Sequence, residues 1–141
     1  MTSLPADLAT LVDDLRSPDP VVRDRGAYSA LANRAEEGSL DDHLPALAER
    51  AVALLADEAV QARSFGALLA ALVVDRDNVT GRAGEDVVRR LLDVLRRWYV
   101  AEPDTRAAPD GPVRHPAVRA AALTALGGAL AELHWFYGRP A

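Results

Sequence analysis

The sequence predicts an all-α protein, an α-solenoid in which about three antiparallel helix pairs stack into a right-handed superhelix. Three observations support this prediction. Apolar residues recur at helical spacing along most of the chain, no segment shows the strict alternation of a half-buried strand, and three helix starts repeat in register. At 141 residues the chain fits one helical-repeat domain, residues 1–141, interrupted by one irregular connection at residues 101–115.

The first two predicted helices have clear ends. Four apolar residues at positions i, i+3, i+4 and i+7 form one face of the first helix: Leu8, Leu11, Val12 and Leu15. Ser-Pro at residues 17–18 ends this pattern. Asp19 is a favourable N-cap for the second helix, and Pro20 fits its first position. We expect this helix to run to about Ala35 and to stop at Gly38.

The next two helices are predicted from prolines, caps and apolar stripes. Pro45 prevents a regular helix from extending far upstream, so the third helix starts near Leu44. Asp57 is the predicted N-cap of the fourth helix. Its apolar positions continue toward Val74, after which the polar segment 75–84, DRDNVTGRAG, is expected to interrupt the helix.

The fifth helix has the most regular amphipathic pattern in the chain. Its apolar stripe consists of Val88, Leu91, Leu92, Leu95, Trp98 and Tyr99. Residues 101–115 contain three prolines and a glycine without apolar period, which indicates an irregular connection. Pro116 is expected to open a sixth helix, which Gly127 and Gly128 bend or break.

Three helix starts align when three valines are placed in register: Val22, Val60 and Val118. Four residues later each copy carries a small residue: Gly26, Ser64 and Ala122. Small residues let neighbouring helices approach closely, so these positions are predicted to form a packing seam. Arginines early in these helices are expected to pair with neighbouring carboxylates such as Asp19 and Asp57.

The helix starts also resemble those of a known repeat class. Pro, Val and Arg at positions 20, 22 and 23, and again at 116, 118 and 119, resemble the second helix of HEAT repeats. Over about residues 7–106 the chain is similar to a bacterial family known as domain of unknown function 2785, with the most specific segments at residues 63–65, 76–78 and 99–106. This resemblance implies a HEAT-like helical domain and transfers no catalytic residue. The segment after residue 106 departs from the family pattern, which includes a histidine-bearing helix.

The composition and charge of the chain indicate where the protein is expected to be located and which partners are disfavoured. The chain has no cysteine, and acidic residues interrupt its first apolar segment, so we expect a cytoplasmic protein that no signal peptide exports. The longest apolar run, residues 65–74, is too short to cross a bilayer, and no membrane association is expected. Net charge is −7 over residues 1–75 and +2 over residues 76–141, which disfavours nucleic acid as a partner.

No catalytic, cofactor-binding or metal-binding residue is predicted, and no cofactor is expected. The histidines, His43, His115 and His134, are too scattered to suggest a site. Residues 75–86 lack the glycine and the final glutamate of a calcium-binding loop. The leading hypothesis is therefore a non-enzymatic HEAT-like module that binds another protein.

Two other functions remain open. The first is a small enzyme or ligand-binding domain with a site between repeats, for which the candidate contacts are Arg63, Asp75, Asp77, Glu102, Asp104 and Arg106. The second, less favoured, is a HEAT-like DNA-binding or DNA-repair protein. The aromatic cluster at residues 135–137 has two interpretations: it packs against Trp98, or Trp135 and Tyr137 contact a partner or a second copy in a homo-oligomer.

Overall fold

The computed structural model describes residues 4–101 and the single position 127. Within these residues the chain is helical and contains no strand, which confirms the all-α prediction. The elements, in chain order, are α1 (Ala6–Asp14), a π-helical segment (Val21–Tyr28), α2 (Ser29–Glu37), a 3₁₀ turn (Asp41–His43), α3 (Leu44–Leu55), α4 (Val60–Thr80) and α5 (Glu85–Ala101). The predicted sixth helix, Ala122 and the predicted connection after residue 101 lie outside the described residues.

The predicted N-caps lie just before the observed helix starts, whose N-cap positions are Pro20 and Ala59. Asp19 Oδ1 accepts the backbone N–H of Val21 at 2.9 Å, and Asp57 Oδ1 accepts that of Ala59 at 2.9 Å, so Asp57 fixes the turn before α4 rather than capping the helix. Gly38 ends α2 with a φ of 80°, a left-handed backbone conformation that residues with a side chain adopt less readily than glycine does. Helix α3 begins at Leu44 with a proline in its first turn.

The second predicted helix is not a uniform α-helix. Its first part, Val21–Tyr28, is π-helical: the N–H of Ser29 donates to the carbonyl of Asp24, five residues back. A π-helix takes more residues per turn, so the buried face moves to Ala27 and Gly26 becomes exposed. The prediction that Gly26 lies in a packing seam is therefore wrong.

Helix α4 is longer than predicted. The polar residues 75–78 continue the helix to Thr80, and Gly81, with φ of 66°, ends it. Asp75 and Asn78 are exposed to water, whereas the buried carboxylate of Asp77 accepts the backbone N–H groups of the following turn. Because each polar residue is solvated or hydrogen-bonded, none of them breaks the helix. The predicted interruption at residue 75 is therefore wrong.

Among the helices of residues 4–101, α3 and α4 form the most extensive pair. Gly66 of α4 is buried, and a Cβ built there would lie 2.8 Å from Leu54 Cβ and 3.0 Å from the backbone nitrogen of Leu55. Ser64, which the sequence predicts at a close contact, is fully buried. The glycine that allows the closest approach is nevertheless Gly66, two residues further along the helix.

Ion pairs show how the helices are ordered. Two of them join α1 and the residues after it to α3 and the residues after it: Asp13–Arg50 at 3.4 Å and Arg16–Asp57 at 2.7 Å. Residue numbers rise together in these pairs, so α1 and α3 run parallel. Helices α3 and α5 also run parallel, because Glu49 pairs with Arg90 at 2.8 Å and, further along both helices, Ala56 and Ala101 line one pocket. The three helices therefore form one row. Helix α2 runs antiparallel to α1, since Arg34 near the end of α2 pairs with Asp7 at 2.7 Å. Helix α2 also contacts α4, and Tyr28, the last residue of the π-helical segment, meets Phe65 of α4.

A bidentate ion pair attaches the 3₁₀ turn to α4. Arg76 donates from Nε and Nη2 to the two carboxylate oxygens of Asp41, at 2.9 and 2.8 Å. These hydrogen bonds, together with the arginine charge, hold the pKa of Asp41 below its usual range. An aspartate with a lowered pKa in the folded state stabilises the fold above the unfolded pKa of about 4, and this contribution is lost as the pH falls further.

We therefore expect Asp41→Asn to lower the free energy of unfolding at pH 7 and to reduce the loss of stability between about pH 4 and pH 2. Urea denaturation across this pH range measures both effects. Asp42→Asn is the matched control, because Asp42 forms an ion pair with Arg82 that is exposed to solvent. Equal pH profiles for wild type and Asp41→Asn would contradict the assigned role.

Candidate interaction groove

An apolar groove of about 400 Å³ lies between the parallel helices α3 and α5, beside the start of α4. We call it the α3–α5 groove. It is lined by Val52, Leu55, Ala56, Arg63, Val94, Arg97, Trp98 and Ala101. Six of these eight side chains are apolar, so the groove presents a continuous apolar surface between two arginines.

Residues on the core-facing side of α5 are buried in the interior, whereas those on its flank line the groove. On α5, Leu91 and Leu95 are fully buried in the core, whereas Val94 lies on the flank toward α3 and is half-buried. Trp98 is 8% exposed and packs edge-on against Tyr99 with ring centroids 6.4 Å apart. The large indole therefore forms a fixed wall of the groove.

Arg63 is placed by hydrogen bonds to the connection between α3 and α4. Its Nη1 donates to the carbonyl oxygens of Asp57 and Glu58, at 3.0 and 2.9 Å. The Asp57 carboxylate beside it has a lowered pKa, first because it accepts the N–H of Ala59 and further because Arg16 and Arg63 are near. Arg63 therefore meets Asp57 mainly through the backbone, rather than through the carboxylate pairing that the sequence predicts.

The opposite side of the groove carries excess positive charge. Arg96 and Arg97 both pair with the single carboxylate of Asp93. The two arginine side chains are 71% and 74% exposed, respectively. Among residues 93–101, one carboxylate therefore faces two guanidinium groups, an excess of one positive charge in a chain with net charge −5, and Glu102 and Asp104 follow directly in the sequence.

A second aromatic cluster lies between the π-helical segment and α4. The Arg23 guanidinium stacks over Phe65 at 5.0 Å, and Tyr28 meets the same ring edge-on at 5.9 Å. Burial raises the pKa of the Tyr28 hydroxyl, and the charge of Asp75 raises it further. Asp75 is exposed overall, but neighbouring protein atoms remove part of the water around its carboxyl group, which raises the pKa of that group. These contacts hold the first helix pair against α4.

The structure separates the predicted contact residues that it describes. Arg63 and Asp75 are 12 positions apart on α4, or about 18 Å along its axis. Asp77 is 1% exposed and bonds to Ala83 at 2.6 Å and to Gly84 at 3.3 Å. The remaining predicted contacts lie outside the described residues: Glu102, Asp104, Arg106, Trp135 and Tyr137. The predicted aromatic cluster at residues 135–137 lies there too.

The described residues contain neither a metal-binding cluster nor a membrane-spanning helix. No group of three or more histidine, aspartate or glutamate side chains in residues 4–101 is arranged to hold a metal ion. None of the helices described there combines the length and the apolar character needed to cross a bilayer.

Most of the groove is not predicted by the sequence. The apolar stripe predicted for the fifth helix contains Trp98 but not Val94. The signal was present as a second stripe on that helix, because Val94, Arg97 and Ala101 follow each other at helical spacing.

Comparisons with models of known protein families, with curated proteins and with solved structures gave no match for this chain. The resemblance to the bacterial family therefore stays a prediction. The geometry of the described residues is the basis for assigning a function.

Proposed function

We propose that the chain is a non-enzymatic, HEAT-like helical-repeat module of the cytoplasm that binds another protein through the α3–α5 groove. The observation that carries this proposal is the groove itself, an apolar surface with a tryptophan wall, bordered by arginines. Tryptophan and arginine are enriched among the residues that contribute most to protein–protein affinity. A row of parallel helices with a second row behind it is also the arrangement of stacked helix pairs.

A repeated motif supports the assignment to a repeat class. Residues 23–27 and 63–67 share the pattern Arg-x-x-Gly-Ala, 40 residues apart. In both copies the arginine Nη1 contacts the carbonyl oxygen six residues back, that of Ser17 at 3.5 Å and that of Asp57 at 3.0 Å. The alanine that ends each copy is buried. A period of about 40 residues is typical of helical repeats built from helix pairs.

The geometry favours binding over catalysis. An active site needs its reactive groups within hydrogen-bonding reach of one substrate. Arg63 and Asp75 are instead about 18 Å apart along α4. Asp77 bonds to the backbone of the turn between α4 and α5. A nucleic-acid partner is disfavoured by the acidic net charge.

Affinity capture with matched variants tests this proposal. Wild type, Val94→Glu in the groove and Val79→Glu as control are each used as bait in a lysate of the source organism. Val79 is 73% exposed on α4, away from the groove. We expect one protein to bind wild type and the control and to be lost with Val94→Glu, because burying a carboxylate in an apolar contact is costly. Once purified, this captured protein should bind Val94→Glu at least about ten-fold more weakly than it binds wild type.

A further variant separates loss of the groove from loss of the fold. Arg97→Glu changes a side chain that is 74% exposed, so we expect its circular dichroism spectrum to match that of wild type. It should nevertheless weaken capture. Equal recovery with all four baits, or no reproducible capture with wild type, would contradict the proposal.

A further inference from the structure

We infer that the partner segment that occupies the α3–α5 groove is an acidic amphipathic helix, with large apolar residues on one face and carboxylates beside them. This inference rests on the proposed function and specifies its partner. It follows from the direction of the groove, from the charge at its edges and from the position of the groove relative to the rest of the chain.

The direction of the groove suits a helix. Helices α3 and α5 run parallel, so the space between them is elongated along their axes. Val94, Trp98 and Ala101 line it at positions i, i+4 and i+7, which span two turns or about 10 Å. An amphipathic helix presents its apolar residues at the same spacing, and helices bind grooves of this kind through such anchors.

The charges at the edges favour carboxylates on that helix. Arg97 lines the groove, and Arg96 lies beside it, and both share Asp93 as their counter-charge. Arg63 lies on the opposite side, where its Nη1 already donates to the carbonyl oxygens of Asp57 and Glu58, so the excess charge at the edges comes from α5. A carboxylate near these groups gains charge-assisted hydrogen bonds, whereas a lysine there meets like charge. The partner is therefore expected to carry glutamate or aspartate next to its apolar face.

The groove is not where a further helix of this chain is expected to pack. Leu92 and Val94 are about 200° apart around α5. Leu92 and Tyr99, both half-buried, mark the flank of α5 turned away from α3. A sixth helix that continued the second row after α2 and α4 would pack on that flank. The groove lies on the other flank, toward α3, so we expect a partner rather than a sixth helix to occupy it.

Designed peptides test this inference directly. The probe is a helical peptide of about 14 residues with leucine at i, i+3, i+4 and i+7 and glutamate at the flanking positions, and its matched control has lysine at those positions. The chain has two tryptophans, so the full-length variant Trp135→Phe reports on Trp98 fluorescence alone. We expect saturable binding of the glutamate peptide, at least about ten-fold tighter than that of the lysine peptide at low salt. This difference should shrink as salt is added.

Charge reversal in the protein provides the matched test. Arg97→Glu should remove or reverse the preference for the glutamate peptide. Arg89→Glu, an exposed arginine on another face of α5, should leave it unchanged.

Several outcomes would overturn the inference. Equal affinity for the two peptides would overturn the acidic partner and leave the proposed function standing. No binding of either peptide, while Val94→Glu still abolishes capture of a purified protein, would overturn the helical partner. A dimer of the full chain that dissociates in Val94→Glu would make a second copy the occupant. If neither peptide binds and the thiol introduced by Arg97→Cys, at a groove position whose arginine side chain is 74% exposed, is protected from alkylation, the occupant is a segment of this chain itself.

Discussion

Gly66→Ala is expected to lower the free energy of unfolding by about 1–3 kcal/mol, the usual effect of an extra methyl group in a close-packed interior. The new Cβ would lie 2.8 Å from Leu54 Cβ and close to backbone atoms of α3: 3.0 Å from the nitrogen of Leu55 and 3.1 Å from the oxygen of Ala51. Backbone atoms do not rotate away as a side chain does. Helices α3 and α4 must therefore move apart, and their tightest contact is lost.

Gly26→Ala is the matched control, since Gly26 occupies the same place in the other copy of the Arg-x-x-Gly-Ala motif. Its nearest neighbour is the carbonyl oxygen of Val21, 3.5 Å from the position of the new Cβ, and the residue is exposed. We expect no loss of stability and a gain of up to about 1 kcal/mol, because alanine restricts the unfolded chain. Urea denaturation followed by circular dichroism measures both variants. Equal effects at the two glycines would contradict the packing described for α3 and α4.

Asp77→Ala is expected to lower the free energy of unfolding by about 1–3 kcal/mol, because it leaves buried N–H groups without their acceptor. The carboxylate is 1% exposed and accepts the N–H groups of Ala83 at 2.6 Å and Gly84 at 3.3 Å. These bonds fix the turn between α4 and α5. Loss of the carboxylate should therefore loosen the attachment of α5, on which half of the groove depends.

Two variants make the Asp77 experiment specific. Asp77→Asn keeps an oxygen acceptor and should recover part of the lost stability, whereas Asn78→Ala, at the exposed neighbour, should change stability little. Hydrogen exchange at the amides of Ala83 and Gly84 should accelerate in Asp77→Ala. If Asp77→Ala and Asn78→Ala behaved alike, the turn would not depend on the carboxylate.

Local signals predicted much of the fold. Apolar stripes located α1, α3, α4 and α5, because burial of one helical face requires that periodicity. The start and end signals at residues 19, 20 and 38 located the second helix, and Gly38 ends α2 as predicted, since such signals involve only a few neighbouring residues. Asp19 and Asp57 lie one and two residues before the observed N-cap positions. The continuation of α4 beyond Val74 was missed, because the environment of Asp77 depends on the turn that follows.

The features that the sequence did not predict depend on contacts between distant segments. A glycine in a helix does not indicate which face meets another helix, so alignment on the valines selected Gly26 and Ser64 rather than Gly66. The π-helical segment was likewise missed, since it changes which side chain of residues 21–28 faces the core. Alignment on the motif Arg-x-x-Gly-Ala would have placed Gly66 in register with Gly26.

The candidate site was also predicted only in part, because it depends on contacts between distant segments. Charged residues near the segments of family resemblance were selected as contacts, and α4 separates Arg63 from Asp75 by three turns. The groove instead combines the flanks of two helices that are about 40 residues apart in sequence. Val52 and Val94 become neighbours only once α3 and α5 pack in parallel. Of the predicted contact residues that the structure describes, Arg63 is the one that lines it.

The distance between α1 and α5 tests the stacked-pair arrangement most directly. The chain has no cysteine, so Thr10→Cys and Asp86→Cys introduce spin labels at two exposed sites only. With α3 between α1 and α5, double electron–electron resonance should give a narrow distribution that corresponds to about 20 Å between the two helix axes, or two interhelical spacings. A separation of about 10 Å would mean that α1 packs directly on α5 in a closed bundle. That result would contradict the row of α1, α3 and α5 on which the groove and the proposed function depend.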